Sequence, residues 1–373
     1  MPRLKNRNLT LDYSDDLRLF PTRQSQLAIA AAVVVLFAFP VVVENLTIFG
    51  QGGDFWLSVL DYAGITAIGA IGLNLLTGYT GQVSLGHAFF VGVGAYSAVF
   101  IGGHHNLPMP VWLLGAAVVG GLVGGIIGPF ALRLRGNYLA VISLGLVYLG
   151  LHIFNNWTSI TGGNNGVTVT AEAKIGPLDF RNLTILGRTY SKNQSFFWLI
   201  WFLVALCALL GKNLVRSRPG RAMQAVRDRD VAAEVIGVSL ARYKVGAFVV
   251  SSALAAVAGA LLAVYQQYVN PDSWGLVLSI QFITIIIVGG VGTIFGSILG
   301  AIFIGGVPQV INAFKGDIPF VAKGASGSGI TVFQLNQIIY GLLIIVFLVL
   351  EPRGLAAVWL RIKAYFKSWP FSY

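Results

Sequence analysis

Ten long apolar runs divide this chain, near residues 25–43, 55–76, 83–101, 111–131, 137–155, 196–211, 245–266, 276–294, 297–314 and 332–350, and none contains a lysine or an arginine. A bilayer core of ~30 Å takes about 20 residues of helix. Inside lipid each backbone N–H and C=O must find a partner within the protein, which a helix provides for itself. The pattern therefore predicts an all-α polytopic integral membrane protein of about ten transmembrane or partly re-entrant helices. The third, eighth and ninth runs are interrupted by glycine and are the ones expected to be broken or re-entrant. Only 10% of the 373 residues are charged and 56% are hydrophobic, with a mean hydropathy of +0.77. A soluble domain is about one quarter charged, so an ordinary water-soluble enzyme is excluded. The first run begins too deep in the chain for a signal peptide and lacks a small-residue cleavage site, so it reads as a retained span.

The net charge of +11 is distributed between the apolar runs and forms no basic domain, so it reads as membrane orientation and gives no nucleic-acid partner. Cytoplasmic connections collect Lys and Arg. With the amino terminus inside and ten crossings, 19 of the 25 basic residues fall inside. The other six, Lys174, Arg181, Arg188, Lys192, Lys315 and Lys323, fall in the two longest outside loops. Both termini are thus expected in the cytoplasm: a tail over 1–24, a transmembrane domain over 25–350 and a tail over 351–373. Within it, 156–195 is an extracytoplasmic loop and 212–244 a cytoplasmic one.

The chemistry-bearing motifs narrow the class by what they lack. A P-loop needs GxxxxGK[ST], whereas the Gly211–Lys212 pair is followed by Asn213 and preceded by Leu206 at the position of the first glycine. The chain is therefore not expected to bind ATP itself. HExxH and CxxC are absent, so no metal ligands and no cofactor of its own are expected, and the lone Cys207 reads as a small core residue. Ionisable side chains at membrane depth are costly and draw attention. Asp61 lies near the outer end of its run, where a carboxylate can reach the interface. His87 follows a glycine-rich break and either faces a polar cavity or is a hydrogen-bonded structural group. His152 is interfacial, and His104 with His105 lies in an outside turn.

Glycine spacing is more informative. Gly120, Gly124 and Gly128 form a stripe that lets helix backbones approach closely in lipid. Two other clusters break their helices: Gly78-Tyr79-Thr80-Gly81 before Ser84 and Gly86, and Gly289-Gly290-Val291-Gly292 before Gly296 and Gly300. Paired glycine-interrupted segments in the two halves of a transporter point to the substrate path. The candidate path residues are Asn74, Gly78, Gln82, Ser84, Gly86, His87, Gly289, Gly290 and Gly292. Their amide, hydroxyl and backbone groups offer hydrogen bonds to a polar solute without burying a fixed charge.

The cytoplasmic loop reads RSRPGRAMQAVRDRDVAAEVIGVSLARYKVGAF from Arg216 to Phe248. Pro219 suits a first helical turn and Gly237 a helix end. Ala222, Met223, Ala225, Val226, Val231, Ala232, Val235 and Ile236 supply an apolar side, and acids are interspersed among the bases. That mixture fits a groove on a partner protein better than an anionic membrane surface.

Taken with GLNLLTGYTGQVSLGHAFFVGVGAY (Gly72–Tyr96), TGGNNGV (from Thr161), GGVGTIFGSILGA (from Gly289) and GLLIIVFLVLEPRGLA (ending at Ala356), this loop resembles the LivM-type permease subunit of branched-chain amino acid ABC importers. The resemblance covers roughly residues 65–356 and rests on the order and spacing of the stretches together. It implies a second, LivH-like permease, two ATPase subunits that use ATP and Mg, an extracytoplasmic solute-binding protein, surrounding membrane lipid, and a bacterial cytoplasmic (inner) membrane location. It also implies that Gly220, Arg221, Ala225, Arg227, Asp228, Glu234 and Gly237 form the element coupled to the ATPases. The usual Glu-Ala-Ala order is not present as such, Val231–Glu234 being the nearest match, and Asp61 has no counterpart in the pattern. Related permeases carry urea, amides or aromatic acids. A proton-coupled secondary transporter would need more intramembrane carboxylates than Asp61, and a membrane enzyme would need convergent catalytic groups.

Overall fold

The computed structural model describes residues 34–44, 46–132, 138–185, 187–314 and 329–368. The chain divides after Leu57. In the leading unit, a short apolar helix α1 (Val34–Val43) is followed by a two-residue antiparallel pairing of Thr47–Ile48 with Gln51–Gly52. The rest of the first predicted span, 25–33, lies outside the described residues.

The main body is helical: α2 (Gly53–Thr80), α3 (His87–Ala98, continued by a π turn to His104), α4 (Met109–Leu132), α5 (Tyr138–Asn156), α6 (Thr158–Thr161) and α7 (Lys192–Arg216). After these come α8 (Arg218–Asp228), α9 (Asp230–Val235), α10 (Leu240–Gln266), α11 (Leu276–Gly289), α12 (Ile294–Gly300, with a π turn to Gly305), α13 (Val307–Phe314), α14 (Val332–Leu350) and α15 (Gly354–Ser368). Local sequence sets several boundaries. Ser191 and Gln194 form a capping box at the start of α7, and Thr331 with Gln334 forms another at α14.

Among the described residues seven helical segments are long and apolar enough to cross a membrane, or eight with α5 and its continuation to Asn165, which bend by 79°. Of the about ten expected runs, the first lies partly outside the described residues and the third is helical over only part of its length. The third predicted run, 83–101, is not a continuous helix: it is non-helical through Gly86 and helical only from His87. The eighth and ninth do reach spanning length, as Pro271–Gly289 and Ile294–Phe314. The sixth is longer than its apolar stretch, because its capping box starts the helix at Lys192.

α2 is apolar on every side and is buried from Val59 to Thr80 except for a few intermediate positions, as befits a helix at the centre of a bundle. α14, equally apolar, buries only Asn336 and Tyr340 fully and leaves Leu342, Ile345 and Leu348 to the exterior. Lipid offers no hydrophobic drive between helices, so close backbone packing holds the bundle. A Cβ on Gly120 or Gly124 would strike Ser252 or Ala256 of α10, and one on Gly94 or Gly259 would strike the α3–α10 contact. The expected Gly120/Gly124/Gly128 stripe is thus the seat of α10. The connection 157–191 lies at the start of α7 and the loop 217–239 at its end, so 25 helical residues separate the two. The first connection carries short hairpins and a pairing of Val167–Thr168 with Tyr268–Val269.

Candidate functional site

The last four carbonyls of a helix have no intrahelical partner, and at the end of α2 their satisfaction defines the site. Gly81 N donates to Thr77 O (3.1 Å) and Gln82 N to Leu76 O (3.3 Å), while the guanidinium of Arg227 in α8 donates from Nη1 to Gly78 O at 2.6 Å. Arg227 is held on its other edge by Asp228, Nε to Oδ1 3.1 Å. A cation at a helix C-terminus also meets the negative end of its dipole.

The second glycine cluster meets the first at the same point. A Cβ on Gly78 would collide with the backbone N of Gly292 and with Asn74 Oδ1, and a Cβ on Gly292 would lie 3.1 Å from Arg227 Nη1. Glycine is needed at Gly290 and Gly292 for a second reason, their φ values of +120° and +81°. Asn74, fully buried, clamps the break: Oδ1 accepts from Gly292 N (2.8 Å), and Nδ2 donates to Thr293 O (2.8 Å) and Ser297 Oγ (2.7 Å). Gly289 abuts the backbone of Gly296, which folds α12 back along α11. The expected break at Gly78 is not there, since α2 stays helical to Thr80 and stops at Gly81 with φ +72°; the GYTG end of α2, the GGVG turn and α8 form one joint.

The remaining candidate path residues lie along the unwound stretch that leaves this joint. Gln82 Nε2 donates to Thr80 Oγ1 (2.9 Å) and Lys244 O (3.2 Å). Leu85 N donates to Ser143 Oγ (2.8 Å), Gly86 N to Ser84 Oγ (3.3 Å) and Ala88 N to Ser279 Oγ (3.0 Å), so hydroxyls from α5, from α11 and from the stretch itself satisfy the non-helical backbone and the start of α3. A Cβ on Gly86 would come within 2.6 Å of Ser143 O. His87 Nε2 contacts Gly69 O at 2.9 Å and its ring stands edge-on to Phe282, a hydrogen-bonded buried histidine. Asn74, Gln82, Ser84 and His87 are all buried, and each spends polar atoms on this chain's own backbone.

The loop elements divide differently from the single apolar side expected. Ser217 caps α8, whose Oγ accepts from Gly220 N, and Gly220 lies so close to the carbonyls of Leu214 and Val215 that no side chain fits. Met223 and Val226 are buried in this chain's own body, as is Ala233. Val231, Val235 and Ile236 are 72%, 83% and 76% exposed. The outward apolar face is thus that of α9 and its end alone. Glu234 is exposed beside it, Gly237 closes the helix at φ +90°, and Arg221 donates from Nη1 to Arg216 O (2.9 Å). Ala225 is half-buried between these groups.

Asp61 does not reach an interface. It is wholly buried in α2, while Lys192 at the start of α7 donates to Tyr265 O at 2.7 Å. Cys207 is buried in α7, and His104, His105 and His152 are exposed. Sequence reasoning also missed the turn Arg353–Gly354: a Cβ on Gly354 would lie 2.6 Å from Gly290 N, so the EPRG stretch seats directly on the GGVG turn. Among the described residues no three acid, histidine or cysteine side chains gather as metal ligands.

A bundle of membrane-spanning helices whose unwound glycine turns meet an exposed connecting loop is the architecture of a transport subunit. Residues 55–348 match the family model described as branched-chain amino acid transport system / permease component. The chain is 30% identical to the high-affinity branched-chain amino acid transport system permease protein LivM of Salmonella typhimurium, over 76% of this chain and 68% of that one. It is 27% identical to the corresponding LivH of the same organism, over 78% of this chain and 90% of that one. The probable LivM of Methanocaldococcus jannaschii is 24% identical over 82% of this chain and 86% of its own. No solved structure matches the chain. The chain belongs to the family of branched-chain amino acid ABC transport permeases; it is a multi-pass membrane protein, and a transport subunit of a family without an ATPase site.

Proposed function

We propose that this chain is one of two permease subunits of an ATP-driven importer of branched-chain, aliphatic amino acids in a bacterial cytoplasmic membrane. Its companion is a LivH-like permease, two ATPase subunits supply ATP and Mg chemistry, and an extracytoplasmic binding protein delivers the solute. The loop 212–244 faces the cytoplasm and 156–195 the outside. In this reading Val231, Val235 and Ile236, with Arg221, Asp228 and Glu234 around them, seat in the ATPases, and Gly220 and Gly237 set the bend and the end of the element.

One observation carries the mechanism: Arg227 bonds Gly78 O at the end of α2, and Gly78 in turn packs against Gly292 of the second glycine cluster. Movement of α8 under ATP-driven closure is thereby applied to the end of α2 and, through it, to the second glycine cluster, and alternating access follows from shifting between packed arrangements. Asn74, Gln82, Ser84 and His87 hold the wall of the path in shape, and the turns Gly78, Gly86, Gly289, Gly290 and Gly292 are where it opens. An aliphatic side chain is discriminated by only about 1 to 3 kcal/mol per methylene, so selectivity is set largely by the binding protein.

The test is reconstitution in liposomes. The chain with its companion permease, ATPases and binding protein is expected to accumulate leucine, isoleucine or valine on ATP hydrolysis, and the chain alone to do neither. Uptake driven by a proton gradient without ATPases would refute the reading. Uptake of urea or amides, with no aliphatic amino acid transported, would move the substrate to another branch of the family.

A further inference from the structure

The residues after α14 read as a plain tail in the sequence, yet the structure fastens them to the GGVG turn at three places. The first is the turn itself. Glu351 ends α14 with its N–H on Phe347 O (2.9 Å), and Gly354 N donates back to Glu351 O (2.8 Å) in a tight turn that Gly354 closes at φ +67°. This turn lies against Gly290: a Cβ on Gly354 would come within 2.6 Å of Gly290 N and 2.7 Å of Val288 O, and one on Gly290 within 2.8 Å of Arg353 O. Neither position has room for a side chain, so backbone rests on backbone.

The second place is along the two arms of the GGVG turn. α15 packs on α11, which leads into the turn, and on α12, which leaves it. Leu355 and Ala356 pack into the body, and the ring of Trp359 stands 6.0 Å from that of Phe295 on α12. The third is the root of the helix. Arg361, about two turns into α15, reaches back so that Nη2 donates to both carboxylate oxygens of Glu351, at 2.6 and 2.7 Å. The Glu351 side chain is 17% exposed and that of Arg361 68%, so the clasp joins a mostly buried acid to an exposed base.

We propose that α15 is a strap that positions the GGVG turn, with Glu351 and Arg361 as its clasp: it limits how far α12 swings from α11, and hence how far the path opens at Gly290 and Gly292. The turn needs such an outside hold. Gly290 and Gly292 sit at φ +120° and +81°, and glycine passes among backbone conformations with little resistance of its own. A hinge is a few residues that absorb a large φ/ψ change, so its angle is set by what packs on either side. Asn74 holds the turn from α2, through Gly292 N and Thr293 O, and the EPRG turn covers it at Gly290. A helix in contact with both arms and pinned at its root leaves that hinge few packed arrangements. The clasp is also weak enough to be released within a cycle, because an ion pair with an exposed partner contributes little. That the strap governs transport rests on the reading of GGVG as a place where the path opens; that it holds the turn does not.

The test uses the assembled importer in liposomes and two readouts. Hydrogen exchange over 286–297 reports the hold on the turn, since Gly290 N is bonded to Ile286 O and Ser297 N to Thr293 O. Solute carried per ATP hydrolysed reports the consequence. Arg361→Ala and Glu351→Gln are each expected to speed exchange over 286–297 about two- to fivefold, with α2 and α10 exchanging as in the wild type. The solute-to-ATP ratio is expected to fall by a similar factor with KM for uptake unchanged. Arg361→Lys is expected to restore most of both, since a single nitrogen makes both bonds to Glu351. Wild-type exchange over 286–297 in both variants would overturn the proposal. So would faster exchange throughout α2 and α10, the mark of a general loss of stability, and so would a wild-type transport ratio in a variant whose turn exchanges faster. If the unaltered importer carries some other solute, the substrate reading fails, and the comparison of variants, run with that solute, still decides the strap.

Discussion

Arg227→Ala removes a side chain that joins the coupling element to the GYTG end of α2. Its Nη1 donates at 2.6 Å to Gly78 O, a carbonyl that the end of α2 leaves without an intrahelical partner. A hydrogen bond with one charged partner is worth ~1.5 to 3 kcal/mol. The Arg227 side chain is 42% exposed, so water takes over part of that bond, leaving about 1 to 1.5 kcal/mol, or roughly five- to tenfold in the equilibrium that ties α8 to the turn. The residue touches neither the buried face of α8, which is Met223 and Val226, nor the exposed face of α9. Folding and ATPase assembly should therefore survive, while motion passed to the path should not. The assay is the importer in liposomes, read as solute transported per ATP hydrolysed. Arg227→Ala is expected to lower that ratio several-fold with ATPases still co-purifying, and Arg227→Lys, which keeps the charge but loses the fork, to fall between. A wild-type ratio in Arg227→Ala would refute the reasoning, and so would loss of the ATPases on purification.

Asn74→Leu takes from the half-buried Gly292 N its partner, while Thr293 O keeps Ser297 N, and is expected to cost ~1 to 3 kcal/mol, read as a lower thermal midpoint in detergent. A variant with normal stability and a raised KM would instead make Asn74 a substrate contact. Gly78→Ala sets a methyl against Gly292 N and Asn74 Oδ1 and is expected to abolish folded yield, whereas Gly145→Ala, where a Cβ meets nothing, should be silent by size-exclusion chromatography. Val231→Ser with Val235→Ser and Ile236→Ser should leave the permease fold intact but reduce recovery of the ATPases in pull-downs, since all three side chains are exposed. In a Cys207→Ser background, single cysteines at Ser191 and Ser217 are expected to react with an impermeant thiol reagent from opposite sides of the membrane, and labelling from one side only would break the assigned topology.

The sequence alone determined the class. Apolar runs of bilayer length with no lysine or arginine, glycine breaks in two halves and one mixed-charge loop leave little besides a helical transport subunit, because helix periodicity and the cost of charge in lipid act locally along the chain. The packing role of Gly120 and Gly124 was legible for the same reason: a four-residue spacing is already a face. Tertiary structure decided what those breaks are for. Gly78 and Gly292 are 214 residues apart in sequence, and only folding shows that a Cβ on one would strike the other and that Arg227 bonds Gly78 O. Residue type likewise left Asn74 open as a ligand, whereas its three short bonds into the GGVG turn make it a clamp. The start of α3 only at His87, the burial of Asp61 and the division of the loop into a buried α8 and an exposed α9 were also decided there. Each depends on which surfaces meet across the bundle, and hydropathy along one strand of sequence carries no record of its neighbours.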